Sequence, residues 1–285
     1  MTDQRRLSIV CITAAGPSQA DLLLNVYEPP LDSEAIVSCI HQLSYGDEGV
    51  NAVSLFEVEH WLTHMHRDGA WLVSCSMEGH IHRFDGSNWK TLQTCAEDGL
   101  NAVFIERPGR VHAVAQDGSI LLIENDLVQL ASPPGQSRLN AIHGCGDRLY
   151  AVGDDGRVLQ FDGSHWSSIE PFTNSNLLSV LCLAPDRVLI GGVQGGLWLG
   201  HGNLWRELDA ASYSISSLAQ LDGRAWLAAG PDGVLQLDEH THVQEAKRLT
   251  LYRLAANPPH LLAAGNDLFV WWNADKWQGL NYRIN

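Results

Sequence analysis

A group of histidines in the first third of the chain has side chains that could bind a metal ion. His60, His64 and His66 lie close together, and His80 and His82 follow at the spacing that puts alternate side chains on one side of a strand. No carboxylate or thiolate completes a recognised ligand spacing around them, and His-x-His is common on solvated strands. We therefore predict no metal site. Ordinary surface or core histidines are the preferred interpretation, and a proton-sensitive surface is the alternative.

Carboxylates that precede glycine are the second group that could do chemistry. Asp117, Asp155 and Asp232 each stand before a glycine. An Asp in this position caps its own hairpin turn, and the pair recurs along the chain, so we interpret these residues as turn formers. The chain also has no Gly-x-Ser-x-Gly, Gly-x-x-x-x-Gly-Lys or His-Glu-x-x-His sequence. We predict no catalytic residues, no cofactor and no enzymatic activity.

The glycines of these turns mark a repeat. From Gly79 to Gly118 is 39 residues, from Gly118 to Gly156 is 38, from Gly156 to Gly195 is 39, and Gly233 follows after 38. Such a period, combined with short alternating strands, is typical of a repeat architecture. The elements around the turns must therefore be defined before any functional residue is placed.

The unit from Leu139 to Trp166 displays the repeat most clearly. It has an apolar strand a, a strand b, an Asp-Gly turn, a strand c and the segment Phe-Asp-Gly-Ser-His-Trp, which leads into a strand d. Asp-Gly between alternating apolar runs predicts a hairpin, because glycine adopts the positive φ that the turn requires. Four short antiparallel strands in each unit of about 40 residues predict an all-β fold, a β-propeller of four-stranded antiparallel blades.

The repeat also predicts the domain organisation. Six clear repeats occupy residues 49–285, whereas residues 1–48 contain three apolar strand candidates and lack the Asp-Gly turn. The N-terminal segment is either a degenerate first blade or a segment that closes the ring. Seven blades is the preferred interpretation and six is the alternative. Since a continuous repeat has no internal boundary, we predict a single domain over residues 1–285.

One repeat is longer than the others. From Asn51 to Gly79 is 28 residues, whereas the corresponding distance in the next repeat is 17. If Asn51 belongs to strand a, an inserted a–b loop occupies Glu57 to Gly69. Insertions in repeat proteins often form binding loops on one face. Within this loop, Trp61 and Met65 are the predicted apolar anchors for a partner.

Asparagines and tryptophans recur with the scaffold. Asn51, Asn101 and Asn140 are assigned to strands a, where their side chains either line a central channel or bond to the backbone of the neighbouring blade. We prefer the second interpretation because the position repeats. The tryptophans at one repeated position are expected to pack between blades. These are Trp89, Trp166, Trp205 and Trp277.

The charge of the chain indicates the kind of partner. Its 18 Lys and Arg stand against 33 Asp and Glu, a formal net charge of -15, which repels nucleic acid and anionic membrane surfaces and attracts basic proteins. In a propeller, the b–c turns and d–a connections share one face, and the a–b and c–d turns share the other. Acidic residues predominate on the first face, so we predict that it binds the partner. The predicted acidic binding residues are Glu78, Glu97, Asp98, Asp117, Asp154, Asp155 and Asp232.

The sequence favours a cytoplasmic protein. The apolar run from Leu7 to Ile12 is too short for a typical secretion signal, and we interpret it as the first strand. No apolar run reaches the roughly 18 residues that suggest a membrane span. The six cysteines include no Cys-x-x-Cys pair and lie mostly in apolar strands, so we expect small buried thiols without disulfides.

The repeated pattern of strand, Asp-Gly, strand and Phe-Asp-Gly-Ser-x-Trp, over residues of about 50 to 280, resembles the divergent bacterial propellers of sensor ectodomains and photosystem assembly factors. The resemblance is architectural. The Gly-His and Trp-Asp landmarks of WD repeats are missing, as is the full Asp-box of sialidases. The resemblance implies a rigid platform for binding and names no partner, because a fold does not fix a function.

Two functional hypotheses follow. The preferred one is a non-enzymatic protein, monomeric when free, whose acidic face binds a basic protein partner, as an immunity protein would neutralise a basic toxin. The alternative is a propeller that binds a carbohydrate or small molecule, or hydrolyses one, in its central channel.

Overall fold

Seven four-stranded antiparallel sheets form the protein. The structure is a computed structural model that describes residues 6–27, 37–132, 135, 137–238 and 243–283. In blades 1 and 2 the strands are β1 (Arg6–Gly16), β2 (Gln19–Tyr27), β3 (Val37–Gly46), β4 (Gly49–Val58), β5 (Leu62–Asp68), β6 (Trp71–Ser76), β7 (His80–Phe84) and β8 (Trp89–Gln93). In blades 3 and 4 they are β9 (Leu100–Arg107), β10 (Arg110–Ala115), β11 (Ile120–Glu124), β12 (Leu127–Ser132), β13 (Leu139–Cys145), β14 (Arg148–Gly153), β15 (Val158–Phe161) and β16 (Trp166–Ser168).

The same order of strands continues to the end of the ring. In blades 5, 6 and 7 the strands are β17 (Leu177–Ala184), β18 (Arg187–Gly192), β19 (Leu197–His201), β20 (Leu204–Glu207), β21 (Ser217–Leu221), β22 (Arg224–Ala228), β23 (Val234–Leu237), β24 (Val243–Lys247), β25 (Arg253–Asn257), β26 (His260–Ala264), β27 (Leu268–Trp272) and β28 (Trp277–Asn281). A single 3-10 turn, Asp154–Gly156, interrupts the described strands. None of the described residues form a helix long and apolar enough to cross a membrane.

The prediction of an all-β propeller with seven blades is confirmed, and the six-blade alternative is wrong. Each described sheet uses four strands that are consecutive in sequence, so no N-terminal strand completes the last sheet. The first blade is longer than predicted, because β4 (Gly49–Val58) is its outermost strand. The first blade therefore ends near residue 58, and the boundary predicted at residue 48 is ten residues too early.

The hydrophobic core is divided among the interfaces between successive blades. Between blades 1 and 2, for example, Leu23 and Ile40 pack with Leu62 and Leu72, all completely buried. Full burial of such a side chain stabilises the fold by about 1.5–3 kcal/mol. Each sheet thus packs one side against the preceding blade and the other side against the following blade. The surfaces that remain accessible to ligands are the turns, the outer strands and the inner edges of strands a.

Side chains on the first strand of one blade also bond to the backbone of the next blade. The Nδ2 atom of Asn101 donates to the carbonyl oxygen of Leu139 at 2.7 Å, and that of Asn140 donates to Leu177 at 2.9 Å. The hydroxyl of Thr63 donates to the Leu100 carbonyl at 2.7 Å. Asn101 and Asn140 therefore form the interblade bonds of the preferred interpretation, and Asn101 also lines the space at the centre of the ring.

Blades 7 and 1 close the ring through backbone and side-chain hydrogen bonds. The Ile9 N–H donates to the carbonyl of Asn266 at 2.6 Å, and Arg253 Nε donates to the carbonyl of Val10 at 2.6 Å. Asn257 Nδ2 contacts the carbonyl of Gly16 at 2.9 Å. The closure therefore consists of packing and hydrogen bonds between two complete sheets.

The repeated tryptophans occupy one position of the blade, as predicted. Trp89 pairs with Phe84, and Trp166 pairs with Phe161, across the turn between strands c and d. In the first of these turns, Asp85 accepts hydrogen bonds from the N–H groups of Ser87 and Asn88, which hold the pKa of its carboxyl below the usual range. The aspartate of this motif is a turn residue, and the tryptophan begins the outer strand.

Candidate binding face and central cavity

The face formed by the b–c turns is assembled by glycines. Gly79 and Gly156 have φ values of 75° and 69°, a conformation that strongly favours glycine. A Cβ at either position would also overlap a backbone carbonyl oxygen, that of Ala96 or Thr173, in the connection to the next blade. Each b–c turn therefore lies directly against a d–a connection, and the two kinds of segment form one continuous surface.

All seven predicted acidic residues lie on this surface, in b–c turns or d–a connections. Three of them are held by the protein itself. Glu78 accepts the N–H of Trp61 at 2.9 Å, Asp117 accepts the N–H of Ser119 at 2.8 Å, and Asp154 forms an ion pair with Arg138 at 2.8 Å. These contacts reduce the freedom of the three carboxylates to meet a partner.

The other predicted acids are more available. Glu97, Asp98 and Asp232 are exposed, and their carboxylates have no hydrogen bond or ion pair with another described residue. Asp155 is exposed and accepts the hydroxyl of Ser137 at 2.7 Å. The sequence reasoning missed Glu170, an exposed acid in the connection between blades 4 and 5. Its position in a d–a connection was the signal that could have identified it.

Some acidic side chains of the opposite face are paired with cations and others are not. Arg110 Nε contacts Glu106 at 2.9 Å, and Arg107 contacts Glu124 at 2.6 Å. Asp126 pairs with Lys90 at 2.6 Å and also with Arg83. Asp68, Asp147, Asp186 and Asp275 are exposed on the same face and form no ion pair with another described residue. The pairing of charges therefore does not by itself distinguish the two faces.

The predicted insertion over Glu57 to Gly69 is wrong. The segment contains the end of β4, a short connection and β5, which is the innermost strand of blade 2. The error arose because Asn51 was assigned to strand a, whereas it lies on the outermost strand of blade 1 and is exposed. Thr63 is the residue that occupies the position of Asn101, since it donates to the next blade.

This correction changes both predicted apolar anchors. Met65 is only 2% exposed, so it is a core residue and cannot be an anchor for a partner. Trp61 is half-buried, lies at 6.5 Å from Tyr27 in an edge-to-face arrangement, and donates its N–H to Glu78. Trp61 is therefore on the same face as the acidic turns, and the prediction that the two candidate surfaces lie on opposite faces is wrong.

Three histidines come together next to Trp61. The rings of His60 and His80 stack with centroids 4.0 Å apart, and His60 Nδ1 lies 3.3 Å from His82 Nε2. His82 Nδ1 contacts the Thr91 hydroxyl at 2.9 Å. Burial, followed by the neighbouring imidazoles, lowers the pKa of His82 to about 3. Among the described residues, no group of three or more histidine, cysteine, aspartate or glutamate side chains is arranged to hold a metal ion.

The cysteines are free thiols in every case, as expected. Cys11, Cys39, Cys75 and Cys182 are buried, whereas Cys95 is exposed in the connection between blades 2 and 3. The expectation of buried thiols is therefore wrong for Cys95. It lies beside Glu97 on the acidic surface, where a connection needs no apolar side chain.

The innermost strands surround a central cavity of about 500 Å³, which is open to solvent over part of its surface. Its lining includes His64, His66 and His143, together with Arg67 and Arg253. No aspartate or glutamate lines it within the described part of the chain. Hydrolysis by paired carboxylates, which needs an acid and a base on either side of the substrate, has no such pair in this lining.

Comparison with known proteins gives one partial relative. No protein-family model matches the chain. The chain is 34% identical over 106 residues to the immune protein Tsi7 of Pseudomonas aeruginosa, a match that covers 35% of this chain and 35% of that protein. The matched part thus spans about a third of the length of this relative.

Solved structures similar to the chain are propellers. The WD40 β-propeller domain of Doa1 superposes with a TM-score of 0.74 at 9% identity, covering 96% of this chain and 98% of that chain. YCF48 from Cyanidioschyzon merolae gives 0.67 at 13% identity, covering 94% of each chain. Sqt1 of Chaetomium thermophilum, bound to the N-terminus of ribosomal protein L10, gives 0.63 at 16% identity, covering 93% of this chain and 84% of that chain. At these identities the likeness concerns the fold, and it confirms the predicted architectural resemblance to propellers.

Proposed function

We propose that the protein is an immunity protein: a non-enzymatic propeller that binds a toxin and neutralises it. The observation that carries the proposal is the local 34% identity to an immune protein. A rigid ring with a broad, nearly continuous face of turns is suited to binding another protein. The net charge of -15 favours a basic toxin as the partner.

The proposed contact surface is the face of b–c turns and d–a connections. Its most available carboxylates are those of Glu97, Asp98, Glu170 and Asp232, which are exposed and have no cation beside them among the described residues. Complementary charge accelerates the encounter of two proteins and disfavours partners of the wrong sign. Trp61 lies on the same face and supplies an aromatic ring next to the acidic turns. We further propose that the protein acts in the cytoplasm and is a monomer until it meets the toxin.

The direct test uses toxicity and its relief. The gene next to the one encoding this chain would be expressed from a tightly controlled promoter in a heterologous bacterium, with and without the propeller. We expect growth arrest that co-expression of the wild-type chain relieves. A variant with Glu97, Asp98, Glu170 and Asp232 all changed to Lys should fail to relieve it.

A matched control separates the face from the total charge. The variant D68K/D147K/D186K/D275K changes the net charge by the same amount through exposed residues in or beside the turns of the opposite face, and it should still protect. Equal protection by both variants would show that the acidic face is not the contact surface. A toxic neighbour that the wild-type chain neither binds nor counteracts would overturn the proposed function itself.

A further inference from the structure

The central cavity has a charge opposite to that of the whole molecule. The chain carries 33 acidic residues, yet none of those described lines the cavity. The lining instead holds Arg67, Arg253 and three histidines, along with serine and threonine hydroxyls. A buried cation normally has a paired anion, because removal of a charge from water is unfavourable.

The two arginines differ in how this requirement is met. The Nε atom of Arg67 forms an ion pair with Asp21, a carboxylate that is completely buried. Arg253 has no carboxylate partner among the described residues. It donates from Nε to the carbonyl of Val10 at 2.6 Å and from Nη1 to the carbonyl of Tyr252 at 3.1 Å. Since a guanidinium has five N–H donors, further donors of Arg253 are left for a ligand.

The three histidines contribute donors as well. His64 Nδ1 accepts the N–H of Val103 at 3.3 Å, His66 Nδ1 accepts that of Ile105 at 3.2 Å, and His143 Nδ1 accepts that of Cys182 at 3.2 Å. In a neutral ring whose Nδ1 accepts a hydrogen bond, the proton is on Nε2. Burial lowers the pKa of His66 to about 3 and that of His143 to about 4, with neighbouring imidazoles as the second cause. Both rings are neutral at physiological pH and each offers an Nε2–H.

Cys11 is the side chain of the lining that could itself become an anion. Burial raises the pKa of its thiol, but the charge and hydrogen bond of His64, a hydrogen bond to the Met65 backbone and the charge of Arg253 together outweigh this effect, so that the pKa lies below its ordinary value. Its Sγ lies 3.4 Å from the Met65 carbonyl oxygen, a contact in which the thiol is the donor. In that protonated form Cys11 leaves the charge of Arg253 without a counter-ion.

We propose that the central cavity binds a small oxyanion, a phosphate or carboxylate group, with Arg253 as the principal cation and the Nε2–H groups of His66 and His143 as further donors. The site is independent of the proposed immunity function, because it lies inside the ring and the toxin would contact an outer face. The volume of about 500 Å³ is in the range that holds a small organic molecule, so the oxyanion can be free or part of a metabolite.

The probes are inorganic phosphate and succinate, titrated separately by calorimetry in a chloride-free buffer of low ionic strength. We expect one of them to bind the wild-type chain and to raise its melting temperature. Binding of phosphate alone would indicate a phosphate ligand, and binding of succinate alone a carboxylate. R253Q should weaken the binding at least tenfold, whereas R253K should retain most of it. R206Q, which removes an arginine from the outermost strand of blade 5, should bind like the wild type.

A second variant covers the case in which R253Q does not fold. A255D places a carboxylate two residues from Arg253, on the same side of β25 and in the cavity lining, where it should replace the ligand and abolish binding. A wild-type chain that binds neither probe would overturn the proposal. Binding that R253Q and A255D leave unchanged would do the same. Binding that appears in C11S and is absent from the wild type would indicate that the thiolate, and not a ligand, is the partner of Arg253, and would also overturn the proposal.

Discussion

The acidic face and the central cavity are opposites in their charge balance. On the face, Glu97, Asp98 and Asp232 are carboxylates without a neighbouring cation in the described structure, while in the cavity Arg253 is a cation without a neighbouring carboxylate. The fold separates the two, because turn residues form the acidic face and the inner sides of strands a surround the central axis. The net charge of -15 therefore describes the outer surface, and it does not predict the sign of a ligand inside the ring.

The largest expected effect comes from leaving a second arginine of the cavity without a counter-ion. Asp21→Asn removes the counter-ion of Arg67, a side chain that is only 8% exposed. Breaking a buried ion pair by removing one partner destabilises a protein by about 3–5 kcal/mol. Urea unfolding should show a decrease of this size in the free energy of unfolding, with an unchanged m-value.

The control for this variant is Asp275→Asn, which changes an exposed turn carboxylate. Its effect should stay within about 0.5 kcal/mol. If Asp21→Asn were equally mild, the cavity would tolerate an unpaired arginine without a ligand, and the reasoning applied to Arg253 would lose its basis.

The second effect concerns the acidic face. Reversal of charge at Glu97, Asp98, Glu170 and Asp232 should lower the association rate constant with the proposed toxin by about tenfold to a hundredfold at low salt, because complementary charge accelerates the encounter of two proteins. The dissociation rate should change less. Surface plasmon resonance at about 25 mM and about 500 mM salt would test this. The difference in association rate constant between wild type and variant should shrink at high salt, because salt screens the charges. A salt-independent difference would point to lost packing instead.

The third effect is a pH dependence that originates in the cavity. His66 and His143 have pKa values of about 3 and about 4 in the folded chain, below the value of about 6.5 in an unfolded chain. Between these values the unfolded chain binds more protons, so the free energy of unfolding decreases as the pH falls from about 6.5 towards 4. Each histidine can contribute up to about 1.4 kcal/mol per pH unit in this window.

The variant H66N/H143N tests this origin. Asparagine keeps an acceptor for the N–H groups of Ile105 and Cys182 and removes the titrating ring. Its unfolding free energy, measured by urea titration at pH 7 and at pH 4.5, should decline less than that of the wild type. The same decline in both proteins would assign the acid sensitivity to other groups.

The smallest expected effect concerns the aromatic part of the acidic face. Trp61 is half-buried against Tyr27, so only part of its ring is available to a partner. Trp61→Ala should weaken binding of the proposed toxin by about 1 kcal/mol, less than the roughly 2 kcal/mol that defines a hot spot. Equilibrium titration would measure it. A larger loss would make Trp61, and not charge, the centre of the interface.

The sequence predicted the scaffold well because the scaffold repeats. The spacing from Gly79 to Gly118 and from Gly118 to Gly156 equals one blade repeat. The assignment of Asn101 to an interblade bond followed from that repeat. Blade 2 was misread because Asn51 and Asn101 begin similar tripeptides, although one lies on an outer and the other on an inner strand. The alternation of Leu62-Thr63-His64-Met65-His66 was the signal for the true inner strand.

The contents of the cavity could not be predicted in the same way. Arg253, Cys11 and His64 come from blades 7, 1 and 2, and nothing in their spacing along the chain indicates that they meet. Their proximity depends on the closure of the ring. The sequence also could not show which carboxylates already have a partner within the protein. The ion pair of Asp154 with Arg138 and the hydrogen bond of Glu78 to Trp61 depend on how each turn packs against the neighbouring connection.

The glycine turns have a consequence for how such a protein can change its specificity. The contact between turn and connection involves the glycine and backbone carbonyls, as at Gly79 and Ala96. The residue before the glycine, by contrast, can change: it is Asp in three of these turns, Glu78 in another and Gln194 in a fifth. The ring thus offers positions beside these turns where an exchange of one side chain alters the chemistry of the face while the architecture beneath it stays the same.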